Sequence, residues 1–230
     1  MNKGSRSVTV VIPARYGSSR FPGKPLIELN GKPMIQHVYE RAVACRAVSE
    51  VLVATDDERI KRAVERFGGR VIMVTGDYRT GTDRVAAVAR MFAGEYFLDL
   101  QGDEIPLNPE LLTDLIEPFL ENGAGMGTLK RVMDPTEDLL NSGVVKVVTD
   151  ARGDALYFSR APIPFVRDEP GRQVIGGLHY VHLGLYMYTK DTLLRFAALP
   201  TSRLEDAEKL EQLRALDHGI RIRVWETKHA

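Results

Sequence analysis

The chain has one cysteine among its 230 residues, Cys45, so no disulfide can form within it. That usage fits a reducing cytosol. Cys45 reads as a small residue at a helix end, and no neighbouring feature argues for a reactive thiolate. Net charge is also missing: 31 basic residues balance 31 acidic ones. No global field favours nucleic acid or an anionic membrane, although local basic loops can still bind phosphate. No apolar run reaches the length of a membrane span. Met1 to Ser7 is polar and has no apolar core, so no signal peptide is predicted there. Internal repeats, low-complexity tracts and interdomain linkers are likewise lacking. The first strand is followed by neither G-x-x-x-x-G-K-[ST] nor G-x-G-x-x-G, which disfavours a P-loop enzyme and a dehydrogenase.

What remains is ordinary in bulk, 44% hydrophobic and 27% charged, as in a globular domain. The length suits one large α/β domain or such a domain with a small appendage. Val8 to Ile12 is a β-branched run that predicts a buried strand ending at Pro13. Asn30-Gly31 is a turn, Pro33 suits the first position of a helix, and Met34, Ile35, Val38, Tyr39, Ala42 and Val43 recur at helical spacing. Val51 to Thr55 is a strand, Asp56-Asp57 can cap a helix through Phe67, and Val71 to Val74 is a third strand. Thr80 to Arg84 opens a helix that Thr82 or Asp83 can cap, before a strand at Tyr96 to Leu100. This βαβαβ order implies a parallel sheet with right-handed crossovers. A helix from Pro109 follows, then strands at Gly127–Val132, Val144–Thr149, Ala155–Phe158, Val181–Tyr188 and Arg221–Glu226. Helices are expected at Lys190–Leu199 and, unbroken, at Leu204–His218, where Leu204, Ala207, Leu210, Leu213 and Leu216 form the apolar stripe.

Several stretches carry chemistry. After the first strand, Arg15, Arg20 and Lys24 stand in a loop with Gly17, Ser18 and Gly23. Free backbone N–H groups and clustered cations suit a polyphosphate, though a solvated basic loop has the same composition. Gln101-Gly102-Asp103-Glu104 stands at the carboxyl end of the fourth strand, where open parallel sheets place ligands. Asp103 there is either an oxygen ligand for Mg2+ or a cap for the next turn. Gly81 and Arg84 lie at a helix start that favours polar ligands, or equally form a capped helix with an exposed arginine. Arg160 can clamp a carboxylate or be an ordinary hairpin-end cation. His182 and Tyr186 alternate onto one strand face, as ligands or as a core pair. Glu211 and Gln212 sit on a helix face that solvent would also explain.

The order of these residues narrows the choice. Pro13-Ala14-Arg15-Tyr16-Gly17-Ser18-Ser19-Arg20-Phe21-Pro22-Gly23-Lys24-Pro25-Leu26 resembles the signature loop of sugar nucleotidyltransferases, most of all the 3-deoxy-manno-octulosonate (KDO) cytidylyltransferases. Gln101 to Glu104, Thr80 to Arg84, Tyr157 to Pro164, His182 to Tyr186 and Leu210 to Arg214 match the same family, from residue 8 to about 224. Ile105 departs from the family's proline at that place. The resemblance implies a three-layer, Rossmann-like α/β nucleotidyltransferase fold with a mostly parallel sheet and a smaller antiparallel, loop-rich insertion. It implies one domain over 1–230, with a nucleotide-binding half (about 8–125) and a sugar-binding and dimerisation half (about 126–230).

The implied activity is CMP-KDO and pyrophosphate formation from CTP and KDO, for lipopolysaccharide biosynthesis, by a cytoplasmic homodimer using Mg2+. Implied catalytic residues are Arg15, Lys24 and Asp103, the last a metal ligand. Ala14, Gly17, Ser18, Arg20, Thr80, Gly81, Arg84 and Gln101 would contact the nucleotide. Gln101, Arg160, His182, Tyr186, Glu211 and Gln212 would contact the sugar. The family pattern adds a metal-binding aspartate in a Val-Asp-Thr-Pro-Glu-Asp segment past the last strand, whereas the sequence given ends at Ala230. A cytidylyltransferase for a related acid sugar, such as an 8-amino KDO analogue, and a CTP-binding module without catalysis are the alternatives.

Overall fold

The computed structural model describes residues 7–17, 22–102, 108–168 and 173–229. Strand β1 (Val8–Ala14) is buried along its whole length. Val8, Val10, Ile12 and Ala14 enter one core and Val11 another, so the strand needs cover on both faces. It runs through Pro13 and pairs Ala14 with Thr55, instead of stopping at the proline. Val11 accepts from the Leu100 N–H. Pro13, two residues on, faces the same neighbour beyond the end of their pairing, where a missing N–H costs nothing.

A 3-10 turn (Lys24–Leu26) leads to a small hairpin of β2 (Glu28–Leu29) and β3 (Lys32–Pro33). Asn30 and Gly31 both take positive φ, 49° and 76°, as a type I′ turn requires. Then come α1 (Met34–Ala44), β4 (Glu50–Thr55), α2 (Glu58–Arg66), β5 (Val71–Met73), α3 (Gly81–Met91) and β6 (Tyr96–Asp99). Pro33 is the N-cap of α1 and not its first residue, and Val43 is 58% exposed instead of facing the core. Asp57 caps α2 by accepting from the Arg59 N–H. Thr80 caps α3, where Thr82 or Asp83 was expected, and Asp83 closes a reciprocal capping box.

The second half contributes α4 (Glu110–Asn122), β7 (Met126–Val132), β8 (Lys146–Thr149), β9 (Ala155–Ser159), β10 (Tyr180–Thr189), α5 (Lys190–Ala197), α6 (Arg203–Glu208), α7 (Gln212–Asp217) and β11 (Arg223–Glu226). The main sheet runs β11-β7-β10-β6-β1-β4-β5, with β8 beside β10 and β9 beside β8. Strands β6, β1, β4 and β5 are parallel, and β10 enters antiparallel between β6 and β7. The antiparallel insertion is therefore hydrogen-bonded into the same sheet. Helices α1, α2 and α4 pack on one face, and α3, α5 and α7 on the other, which makes three layers.

The single helix expected over 204–218 is two. Lys209 adopts φ 53°, in the left-handed region, and breaks the run between α6 and α7. Leu204 and Ala207 are exposed, and the buried α6 residue is Glu205. Arg214 holds Glu205 in a two-point ion pair at 2.7 and 2.8 Å. Residues nine apart do not meet on one straight helix, so the pair requires the break.

Gly127 on β7 is pinned between Trp225 of β11 and Phe119 of α4, where an added Cβ would lie 2.5 and 2.8 Å from ring carbons. Gly127→Ala should therefore cost about 1–3 kcal/mol by overpacking. Urea denaturation would reveal this as a lower midpoint with unchanged slope, whereas an unchanged midpoint would show that the Trp225 ring yields freely.

Candidate active site

The sheet order reverses at β1, with β4 and β5 to one side and β6 to the other. Ligands of open α/β sheets sit at the carboxyl ends of the strands beside such a reversal. Two segments leave there: the loop after β1, and Gln101-Gly102 after β6. Gly102 lies against β1, and an added Cβ would come within 3.0 Å of the Pro13 carbonyl. Asp103 follows directly but lies outside the described residues, as do Ser18 and Arg20.

Ala14 is buried at the end of β1, while Arg15 and Gly17 are exposed. The loop closes on itself, because the Gly23 N–H donates to the Tyr16 carbonyl at 2.8 Å. Gly23 has φ 77° and lies under the Tyr16 ring. The Arg59 guanidinium stacks 3.2 Å from that ring's centroid and binds Asp57 at 2.6 and 3.0 Å. Lys24, half-buried, starts the 3-10 turn beyond.

A cleft of about 340 Å³ lies between this loop, the β4–α2 turn and the segment before α3, lined by Arg15, Gly17, Asp56, Tyr78 and Arg84 among others. Arg84 is buried (5% exposed), against the exposed arginine that helix position alone allowed. Its Nη2 binds Asp56 at 2.9 Å, and its guanidinium lies 5.4 Å from the Tyr78 ring. Its Nη1 is buried with no hydrogen-bond partner among the described residues. A buried charged donor needs an acceptor, and this one faces none among the described residues.

At the α3 N-terminus, Gly81 makes room for Gln101: an added Cβ would be 3.2 Å from both amide atoms of that side chain and from Pro13. Gln101 donates to Asp99 at 2.9 Å. Thr80 donates to Glu211 Oε1 at 2.8 Å, and the Thr82 hydroxyl lies 2.9 Å from Glu211 Oε2. The α6–α7 break thus delivers Glu211 from the second half to the start of α3. Burial raises the Glu211 carboxyl pKa, against the lowering pull of Thr80, Thr82 and Arg214. Gln212, the first residue of α7, is buried beside it in sequence.

His182 and Tyr186 do share a face of β10, with ring centroids 5.4 Å apart. A bulge intervenes, since Leu183 pairs with Leu129 and Tyr186 with the adjacent Thr128. Thr128 fills it, its hydroxyl 3.0 and 2.8 Å from the Leu183 and Leu185 carbonyls and 3.1 Å from His182 Nε2. Burial lowers the His182 pKa from 6.5 to about 3, so the ring is neutral at physiological pH. Arg160 donates to the carbonyls of Glu208, Ser142 and Lys209 at 2.7, 2.9 and 3.4 Å. It meets the rest of the site through the α6–α7 break. No group of three or more His, Cys, Asp or Glu side chains able to hold a metal occurs among the described residues.

A family model for cytidylyltransferases matches residues 9–222. The 3-deoxy-manno-octulosonate cytidylyltransferase of Geobacter sulfurreducens is 53% identical over 97% of this chain and 92% of its own. That of Solibacter usitatus is 46% identical over 97% of this chain and 88% of its own. The chain belongs to the 3-deoxy-manno-octulosonate cytidylyltransferase family. The solved structure of CMP:2-keto-3-deoxy-manno-octonic acid synthetase complexed with CTP is 44% identical and superposes with TM-score 0.88, over 96% of this chain and 90% of that one.

Sequence reasoning passed over two residues that organise this candidate site. Asp99 was read only as part of a strand, although a carboxylate inside Tyr96-Phe97-Leu98-Asp99-Leu100 is a signal, since a buried charge demands partners. Thr82 was considered only as a cap. Both are buried.

His182 also makes acid stability measurable. Its folded pKa lies below the unfolded value, so its contribution is complete above pH 6.5 and declines as pH falls toward 3. At pH 5 the unfolded chain binds a proton that the folded protein refuses, at a cost of about 2 kcal/mol. Urea unfolding at pH 7 and pH 5 should show that loss in the wild type and a smaller one in His182→Gln. Equal losses would mean that His182 titrates normally in the fold.

Proposed function

We propose that this chain transfers the cytidylyl group of CTP to KDO, giving CMP-KDO and pyrophosphate for lipopolysaccharide biosynthesis. The observation that carries this reading is the likeness, along nearly the whole chain, to a synthetase complexed with CTP. The relatives named for this activity match over the same length. The anomeric hydroxyl oxygen of KDO bonds to the α-phosphorus, the bond from that phosphorus to the leaving pyrophosphate breaks, and the hydroxyl proton passes to solvent. Such a transfer needs alignment and charge neutralisation more than covalent help.

Arg15 and Lys24 hold the triphosphate, and Arg20, Ala14, Gly17 and Ser18 contact the nucleotide. Thr80, Gly81 and Arg84 receive the cytidine, where the open Nη1 of Arg84 supports an acceptor on the nucleotide. Gln101, Tyr186, Glu211, Gln212 and neutral His182 orient the sugar's hydroxyls. Arg160 keeps part of its donor fork for the sugar's carboxylate. Asp103 is the protein ligand for Mg2+, a cation that is commonly held by one or two carboxylates plus substrate phosphates. When bound, the cation neutralises phosphate charge and favours deprotonation of the attacking hydroxyl. We further propose a cytoplasmic homodimer. Leu156 and Phe165 in the second half are 62% and 73% exposed, and no helix among the described residues is long and apolar enough to cross a membrane.

Pyrophosphate release from CTP, KDO and Mg2+ tests the reaction. Release should require all three, and Arg15→Ala or Lys24→Ala should lower kcat/KM by about a hundredfold or more. Arg160→Ala should raise KM for KDO about tenfold and leave KM for CTP nearly unchanged. CTP binding without release, at any sugar concentration, would overturn the assignment.

A further inference from the structure

Two carboxylates converge on one hydroxyl at the centre of the site. Thr82 Oγ1 lies 3.0 Å from Asp99 Oδ2 and 2.9 Å from Glu211 Oε2. A threonine hydroxyl has one proton and can donate to only one of them. The other oxygen would then face Thr82 lone pair to lone pair, unless the carboxyl group itself brings a proton. Thr82 is 3% exposed and Asp99 fully buried, so water does not reach the contact from their side. Nor can Thr80 supply the second proton, because it accepts from the Asp83 N–H and donates to Glu211 Oε1, the other oxygen.

We propose that Asp99 and Glu211 hold one proton between them, on Glu211 Oε2, and that it polarises a chain Glu211–Thr82–Asp99–Gln101 that turns the Gln101 carbonyl oxygen toward the substrate. Glu211 donates to Thr82, Thr82 donates to Asp99, and ionised Asp99 also accepts the Gln101 amide N–H at 2.9 Å. Gln101 Oε1 is then an acceptor, suited to a hydroxyl or amino group and hostile to a carboxylate or phosphate oxygen. Thr82 and Asp99 are positioning residues that act through Gln101.

The surroundings place the proton on Glu211. From α3, Asp83 adds negative charge that disfavours ionisation of Glu211. From β6, Asp99 faces it across Thr82. From β10, the Tyr188 hydroxyl is buried near both carboxylates and stays un-ionised. From α7, Arg214 is the cation beside it among the described residues, 3.4 Å from Glu211 Oε1, but its guanidinium is committed to Glu205 of α6 at 2.7 and 2.8 Å. Although 26% of the Glu211 side chain is accessible, burial outweighs these donors and raises its pKa.

The positioning role rests on the proposed reaction, while the proton does not, and the experiment separates them. Infrared difference spectra of ligand-free protein at pH 7, with glutamate carboxyl carbons isotopically labelled, should contain a protonated-carboxyl band that shifts with the label and is absent from Glu211→Gln. Absence of a label-sensitive band in the wild type would overturn the proposal without any variant having to fold. So would its persistence in Glu211→Gln. Melting curves give the sign independently. A carboxyl with raised folded pKa stabilises fully below the unfolded value of 4.5 and loses that contribution as pH rises through its folded pKa. The Tm of Glu211→Gln should therefore gain on the wild type between pH 4.5 and 8, and the opposite trend would refute the assignment. In turnover, Thr82→Val should raise KM for KDO about tenfold, the equivalent of one lost hydrogen bond, with a smaller change in kcat. Thr82→Ser should restore it. Unchanged KM in Thr82→Val, with the infrared band intact, would remove the positioning role and leave the proton in place.

Discussion

The hydrogen bonds that link Thr80 and Thr82 with Glu211 join residues 131 and 129 positions apart, and the site depends on them. They fix the start of α3, on the proposed nucleotide side, against the start of α7, on the proposed sugar side. A carboxyl group brought this deep is costly unless its oxygens are partnered. The partners are two hydroxyls from one helix start, with Arg214 behind them. The geometry in turn requires the left-handed turn at Lys209, since an unbroken helix would carry residue 211 along the axis of α6. Asp99 then reaches the same Thr82 from β6 and fixes Gln101, which occupies the space that Gly81 leaves open.

Signals confined to a few residues were legible in the sequence. Asn30-Gly31 makes its turn because both positions tolerate positive φ, Asp57 caps α2 with its own side chain, and the continuous β-branched run of β1 reports a buried strand, covered on both faces. Order along the chain likewise pointed to the candidate site, because loops at the carboxyl edge of a parallel sheet are where ligands gather. Features decided at long range were not legible. Leu204, Ala207, Leu210, Leu213 and Leu216 keep helical spacing across Lys209, and periodicity cannot report that Glu205 pairs with Arg214. The bulge in β10 depends on Thr128 of another strand, and the burial of Arg84 on Asp56 and Tyr78. Each is a polar group satisfied by a distant partner, which one-dimensional patterns do not encode.

Charge is divided across the cleft in a way that suits transfer from a triphosphate to a polyol. On the nucleotide side Arg15, Lys24 and Arg84 are cations, which the proposed reaction sets against the phosphates and the cytidine. On the sugar side His182 is neutral through burial, and the buried surroundings of Glu211 disfavour its charge. Neutral donors and acceptors distinguish hydroxyl positions by direction, whereas a formal charge would attract the phosphates as strongly as the sugar. The exception is Arg160, and its fork is already anchored on the carbonyls of Ser142, Glu208 and Lys209. Two of those carbonyls belong to the α6–α7 break, so the residue proposed to take the carboxylate is braced by the same turn that delivers Glu211. Distorting that turn would displace both ends of the sugar site together. The sugar side therefore behaves as one preorganised unit, and binding energy is conserved for alignment of the attacking hydroxyl instead of being consumed in ordering side chains.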